Sequence, residues 1–198
     1  FINKIKKLLE CVCHNCGKIL TDEHDSGFND ALRFRDPKKR FEAIWKATKG
    51  KKGCDPDDPP DENGKDPKKP PRNHGGCGNK MPEIRREGLK LMGTWKPTKG
   101  EEEEDGRQPE KRAIKPQEVL NIFRLLTDET LTVLGLNIKF ARPEWMVLTM
   151  LPVPPPPVRP SISVDGTGQG MRGEDDLTYK LADIIRANAS IKRCYSEC

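Results

Sequence analysis

Four cysteines frame a long segment of this sequence that contains almost no apolar residue. Residues 51–80 consist mainly of Pro, Asp, Lys, Gly and Asn. A segment of this composition buries too little apolar surface to fold through hydrophobic contacts alone. Cys13 and Cys16 precede it as a CxxC pair, while Cys54 and Cys77 lie near its two ends. Something other than a core must therefore close the segment, and the cysteines are the candidates.

The spacing of these cysteines favours a structural zinc site. Zinc takes four thiolate or imidazole ligands in a tetrahedron, and a two-residue spacer lets one tight turn supply two of them. Glycine follows both Cys16 and Cys77, where the backbone has to turn its amides towards sulfur. We predict one Zn²⁺ held by Cys13, Cys16, Cys54 and Cys77. Because the second pair is not a CxxC, spacing alone leaves open that Cys54 and Cys77 are ordinary thiols.

Two histidines and the three remaining cysteines are possible rival ligands. His74 is the most credible substitute, because it lies three residues before the last ligand. The side chain of His14, inside the CxxC turn, is expected to point away from the metal. Cys11 is best interpreted as a small buried hydrophobe. Cys194 and Cys198 have no second pair nearby and are treated as incidental.

Composition narrows the class of protein. Only 33% of the residues are hydrophobic, beside 18 prolines and 17 glycines, so the core is expected to be small. No run approaches the roughly 18–20 apolar residues of a membrane span, and no membrane partner is expected. Seven cysteines, an odd number, favour a reducing compartment over a disulfide framework. The start at Phe1 and the end inside a helical pattern lead us to expect an internal piece of a longer protein.

Local patterns predict helices mixed with short strands, an α+β fold. Asp36 followed by proline is an N-cap signal for a helix over about 37–49. Residues 84–95 fit a strand or hairpin. Pro116 opens a further helix, and a short successor is expected to end at Gly135. The less regular segments are a strand end or turn at 4–10 and solvated tracts at 51–80 and 98–112.

The chain changes character near Ala141, where we place a domain boundary. Residues 145–153 have the pattern of a buried strand, and 154–160 should extend as polyproline. Four glycines in 164–173 predict a flexible loop. Apolar residues then recur four and three positions apart, with Asn188 at one of these positions, as in a coiled-coil seam. The apolar members of this seam are Leu177, Leu181, Ile184 and Ile191.

Five longer strings, spread over nearly the whole chain, carry a resemblance to a known family. They are LLECVCHNCGK, DPKKRFEAIWKATKGKKGC, GGCGN, RPEWMVLTMLPVPPPPVRPSISVDG and RGEDDLTYKLADIIRAN. Together they resemble the clamp region of the largest subunit of eukaryotic RNA polymerase II. The string RPEWMVLTMLPVPPPPVRPS is the most specific of them.

The resemblance implies a fold and a division of the chain. It implies a small, irregular, zinc-stabilised clamp head with helices and short strands, followed by part of a clamp core with a coiled-coil arm. Residues 1–12 would end a preceding clamp-core segment, and 13–141 would form the zinc-binding head. Residues 142–198 would contribute a Pro-rich strand, a lid-like loop and the first clamp helix.

The resemblance also implies a function. The chain would be part of a nuclear DNA-directed RNA polymerase, in the mobile clamp that holds DNA and the RNA–DNA hybrid. Its partners would be the other subunits, the template, the hybrid, and initiation and elongation factors. Catalytic Mg²⁺ would bind outside this sequence, so no catalytic residue is expected within it. Arg159 and Arg172 flank the lid-like loop and are expected to contact nucleic-acid phosphates.

Two other classes of protein remain possible on the residues alone. Pro154, Pro157 and Arg159 fit PxxPxR, so a zinc-containing adaptor with an SH3 ligand is the main alternative. A stand-alone zinc-dependent nucleic-acid-binding protein is the second, since the net charge is +5. Independent catalysis is least favoured, because four cysteine ligands leave zinc no open position. The carboxylates at 174–176 fit the first turn of a helix.

Overall fold

The chain forms two compact units of mixed helices and short antiparallel strands, which confirms the predicted α+β class. The computed structural model describes residues 1–57, 75–97, 108–168 and 170–197. The units comprise residues 1–147 and 148–198. Among the described residues, no helix has both the length and the apolar character needed to span a bilayer.

The first helix, α1, spans Ile2–Cys11. The prediction of a strand end or a turn at 4–10 is therefore wrong. Leu8 is fully buried, while on the outer side the Lys6 ammonium lies 2.6 Å from a Glu10 carboxylate oxygen. This helix is short, and its stability depends on burying one face against the rest of the unit, which a local pattern does not reveal.

The next two helices, α2 (Ser26–Leu32) and α3 (Pro37–Thr48), pack on each other. The side chain of Asp36 accepts a hydrogen bond from the Lys38 backbone N–H at 3.0 Å, so it caps α3. The predicted helix over 37–49 is confirmed to within one residue. Its start is correct because proline at the first helical position and an aspartate cap are local signals.

A three-stranded antiparallel sheet follows, in the order β1-β2-β3. Its strands are β1 (Glu83–Glu87), β2 (Lys90–Trp95) and β3 (Glu110–Ala113). The strands β1 and β2 form the hairpin predicted at 84–95.

The third strand was not expected, because three of the four residues of β3 lie at the end of the tract 98–112, which was predicted to be solvated or a turn. Its four residues are all exposed, yet Ala113 pairs with Met92 and Glu110 with Trp95. Backbone pairing with β2 makes this edge strand, so its charged composition does not reveal it. Residues 98–107 lie outside the described part of the chain.

Two further helices follow in the first unit, and both were predicted. The helix α4 spans Pro116–Arg124 and α5 spans Asp128–Val133. The hydroxyl of Thr127 accepts from the Thr130 backbone N–H at 3.3 Å and caps α5. Gly135, at φ 74°, follows the C-terminus of α5.

The apolar residues of these elements form one main core in the first unit. Its fully buried members include Phe41, Phe123, Leu131 and Leu134. A second, smaller cluster consists of Cys13, Leu20, Cys54 and Met81, with Cys16 against it. Three of the four predicted zinc ligands therefore lie in an apolar cluster separate from the main core, while the fourth, Cys77, is exposed.

Residues 145–153, which were predicted to form a buried strand, are neither buried nor part of a strand. A 3₁₀ helix spans Pro143–Met146, and irregular backbone follows. The side chains of Trp145 and Met150 are 53% and 85% exposed. A buried strand needs a neighbouring strand to satisfy its backbone, and none pairs with these residues in the described part of the chain.

The proline run bends where extended polyproline was predicted for 154–160. A 3₁₀ turn spans Pro156–Val158, and the Val158 backbone N–H donates to the Pro155 carbonyl at 2.9 Å. The fixed φ of proline suits a 3₁₀ turn as well as polyproline II, so the sequence does not choose between them.

Two short strands pair at the described ends of the glycine-rich segment 164–173, which was predicted to be a flexible loop. Strand β4 (Ile162–Ser163) precedes the segment and β5 (Arg172–Gly173) forms its last residues, in antiparallel register. The helix α6 then runs from Asp176 to Glu197, as the apolar spacing predicts. Whether its apolar seam pairs with another helix stays a prediction.

Candidate metal centre

Cys13 and Cys16, the first two predicted ligands, lie in a tight turn directly after α1. Val12 is extended and bridges to Ile19, so the chain reverses between them. The Cys13 backbone N–H donates to the Lys18 carbonyl at 2.7 Å. Gly17 has a φ of 75°, a conformation that residues with a side chain rarely adopt. This turn points both thiols of the CxxC pair to one side.

The other two cysteines come from the ends of the apolar-poor segment. The Cys54 backbone N–H donates to the Asn79 carbonyl at 2.9 Å, and Gly53 bridges to Lys80. Cys77 follows directly on Gly76, which forms a second bridge within the same pair of segments. The two ends of the segment are thereby held side by side at the CxxC turn.

The four sulfur atoms converge, with all of them within 4.8 Å of one another. The Cys13 and Cys77 Sγ atoms lie 3.4 Å apart, and those of Cys16 and Cys54 lie 3.7 Å apart. Zinc–sulfur bonds of about 2.3 Å in a tetrahedron give sulfur–sulfur edges of about 3.8 Å. The described cysteines are free thiols rather than disulfides. The donor set and its spacing therefore fit one zinc ion.

The protein environment shifts the pKa of Cys13, Cys54 and Cys77 in different directions. Burial raises the pKa of Cys13 and of Cys54, since a thiolate is poorly solvated in an apolar layer. Burial also raises the pKa of Cys77, but the Asn79 backbone N–H and neighbouring side chains outweigh it and lower this pKa to about 7. The Asn15 backbone N–H lies 3.4 Å from the Cys13 sulfur, as expected of a group that supports a thiolate.

Two residues near the metal centre that could have been ligands, His14 and Cys11, do not join the four sulfur atoms. The His14 Nε2 atom lies 3.0 Å from the Leu9 carbonyl oxygen, so the ring turns back to α1. Burial lowers the pKa of His14 and favours the neutral ring. Cys11 is fully buried in the main core, and burial raises its pKa to about 12. Both sequence interpretations are confirmed.

The other candidates belong to the second unit or fall outside the described residues. Cys194 is an exposed residue of α6. His74 and Cys198 fall outside the described residues.

Comparison with protein families adds the decisive observation. The family model described as RNA polymerase Rpb1, domain 1, matches residues 1–198. The chain belongs to this family. It is therefore part of the largest subunit of an RNA polymerase, which acts with other polymerase subunits on nucleic acid. The resemblance identified from the sequence strings is confirmed at this level.

The two arginines predicted to contact nucleic acid have different surroundings. The Arg159 Nε atom donates to the Pro154 carbonyl at 2.9 Å, and its Nη1 atom donates to the Thr178 hydroxyl at 3.1 Å. Its guanidinium therefore ties the proline turn to the first turn of α6. Arg172 is exposed on β5.

Asp165, which was not among the predicted site residues, organises the described part of the glycine-rich loop. Its Oδ1 atom accepts from the Ser163 hydroxyl at 2.6 Å and from the Thr167 backbone N–H at 3.4 Å. The Ser163 hydroxyl, followed by the Thr167 contacts, holds the pKa of Asp165 below its usual value. An aspartate that bonds the backbone two residues later is a local turn signal that was available in the sequence.

Proposed function

We propose that this member of the family is the zinc-bearing clamp head and part of the clamp core of a eukaryotic RNA polymerase II largest subunit, working in the nucleus. Its role would be to hold DNA and the RNA–DNA hybrid in a mobile clamp. The observation that carries the proposal is the family match over all of residues 1–198. The specific string at 142–161, which includes PPPPVRPS, supports the polymerase II type.

Zinc in this proposal is structural, and Cys13, Cys16, Cys54 and Cys77 hold it. Four thiolates complete a tetrahedron and leave zinc no position for water or substrate. The ion supplies the cross-link that closes the apolar-poor segment on the CxxC turn. Catalysis by the polymerase uses Mg²⁺, whose ligands we place outside this sequence.

The proposed division of the chain follows from the same assignment. Residues 1–12 end a preceding clamp-core segment, 13–141 form the head, and 142–198 belong to the clamp core. The loop at 165–172 is the lid, at the upstream edge of the hybrid. Arg172 is exposed and thus available to phosphates, whereas Arg159 already donates two hydrogen bonds within its own unit.

Initiation and elongation factors would bind the arm formed by α6. None of its described residues is buried, so its apolar seam is available to a partner.

The adaptor alternative is less well supported. An SH3 ligand needs an extended polyproline helix and a free arginine. Here Pro156–Val158 form a 3₁₀ turn, and Arg159 is bound to Pro154 and Thr178.

Metal analysis tests the zinc assignment. The purified chain should contain about one zinc per molecule, and a chelator should release the segments 51–57 and 75–82 first. Cys77→Ser should remove most of the zinc affinity, because it deletes a ligand. Cys11→Ser is the matched control and should retain zinc. Metal-free protein that keeps its fold would contradict the assignment.

Cross-linking tests the lid assignment. In a complete polymerase on a DNA bubble, a photoreactive residue replacing Met171, which is 85% exposed, should label RNA or template at the upstream end of the hybrid. Leu89, at 88% exposed in the β1–β2 turn, is the control position and should not label that end. Equal labelling from both positions would exclude the lid assignment.

A further inference from the structure

The four cysteines of the metal centre differ in how far solvent reaches them. Cys13 and Cys54 are 0% and 1% exposed, and Cys16 is half-buried. Cys77 alone among these four is exposed. A reagent in solution therefore meets one ligand before the other three.

The residues that flank Cys77 do not shield it. Gly76 precedes it and Gly78 follows it, so neither neighbour has a side chain. A Cβ atom on Gly78 would have no atom of the described residues within 4 Å. Cys77 is thus bounded on its inner side by Cys13, 3.4 Å away between sulfurs, and is open on its outer side.

The two halves of the centre are also held by different contacts. Hydrogen bonds from Cys13 N to Lys18 O at 2.7 Å and from Leu20 N to Cys11 O at 2.9 Å fix the CxxC turn. These contacts do not involve Cys77.

The segment that carries Cys77 is held on its other side by the chain around Cys54. Its backbone contacts include Cys54 N to Asn79 O at 2.9 Å and Met81 N to Lys52 O at 2.7 Å. Its buried contacts belong to the small cluster and not to the main core. Loss of the Cys77 ligand would therefore loosen this segment and leave the helical core folded.

We propose that Cys77 is the ligand at which the metal centre opens, and that it is a covalent modification site for soft electrophiles such as haloacetamides. The inference rests on the proposed structural zinc. The Cys77 sulfur attacks the electrophilic carbon, the sulfur–carbon bond forms, and the carbon–halogen bond breaks with departure of halide. No oxidant or reductant is required. The resulting thioether is neutral and a poor zinc ligand, so only three thiolates remain and the ion passes to a competing chelator.

The test uses the full 198-residue chain loaded with zinc, treated with iodoacetamide in the presence of a zinc-binding dye. Peptide mass spectrometry should find Cys77 modified before Cys13, Cys16 and Cys54. One zinc should reach the dye for each Cys77 that is modified. Cys194 is exposed and serves as the reference for a free thiol, while Cys11 is the buried reference.

A matched pair of ligand exchanges makes the test specific. Histidine also binds zinc but reacts far more slowly with haloacetamides, so Cys77→His should keep its zinc through the treatment. Cys16→His leaves Cys77 in place and should lose zinc as the parent chain does. If either substitution abolishes zinc binding, the inference is tested by the order in which the four cysteines of the unsubstituted chain are modified. The inference would be overturned if Cys16 were modified first, or if all four cysteines were modified at the same rate. It would also be overturned if Cys16→His protected the zinc from release. A folded chain without zinc would instead refute the proposed structural zinc.

Discussion

Two glycines lie at positions in the metal centre where a side chain would meet backbone. A Cβ atom on Gly17 would lie 2.7 Å from the Leu125 carbonyl oxygen, and its φ of 75° adds strain. A Cβ atom on Gly76 would overlap the Asp55 carbonyl and lie 2.9 Å from the Cys54 sulfur. Backbone cannot move aside as the end of a flexible side chain can, so the ligand segments would have to separate.

Gly76→Ala should therefore weaken zinc binding. Overpacking of this kind costs about 1–3 kcal/mol, which corresponds to roughly a five- to 150-fold higher dissociation constant. Gly53→Ala is the matched control, because among the described residues a Cβ there meets the Asn79 carbonyl alone, at an ordinary 3.5 Å. Competition with a chromophoric chelator measures both constants. Similar constants for the two variants would argue against the close approach at Gly76.

At the scale of elements, α6 differs from every helix of the first unit. Its range, Asp176–Glu197, includes no buried residue, whereas each of α1 to α5 buries at least one. A helix of 22 residues with an apolar seam and no core of its own needs a partner along that seam.

Asn188 lies on this seam and should lower stability while fixing the register of a paired helix. In a longer chain that supplies the returning helix, Asn188→Leu should raise the midpoint of thermal unfolding. Ala189→Leu, one position off the seam, is the control and should leave the midpoint of thermal unfolding nearly unchanged. A lower midpoint for Asn188→Leu would count against the coiled-coil interpretation.

At the scale of the whole molecule, the hydrophobic core and the lid-like loop belong to different units. Every residue of the main core lies within residues 1–147, and the loop lies within 148–198. The described part of the loop is organised by hydrogen bonds that the Asp165 carboxylate accepts rather than by apolar burial. Changes in the loop should consequently leave the metal centre and the core intact.

Replacing residues 165–172 by a short linker in a complete polymerase should separate two activities. Nucleotide addition on a preformed scaffold should stay nearly intact, because the proposed catalytic Mg²⁺ site lies elsewhere. Displacement of the transcript from the template should be impaired, since the loop and Arg172 are removed. Retention of RNA upstream on bubble templates is the measurement. Loss of single-nucleotide addition, or unchanged strand separation, would contradict the lid assignment.

The sequence alone determined the features that depend on local chemistry. Asp36 and Thr127 act as caps within one helical turn, so the starts of α3 and α5 could be predicted. The cysteine spacing and its glycines likewise identified the four thiols that the structure brings together. The rejection of Cys11 and His14 as ligands also followed from their positions beside the turn.

Only the tertiary structure decided the features that depend on a distant partner. The helix α1 is stable because it packs on α3, and β3 is a strand because β2 pairs with it. Residues 145–153 have the apolar pattern of a buried strand, but no described strand pairs with them. Arg159 is tied to Thr178, 19 positions along the chain. Periodicity and caps report on neighbours within a few residues, whereas these outcomes depend on contacts that form only when the chain folds.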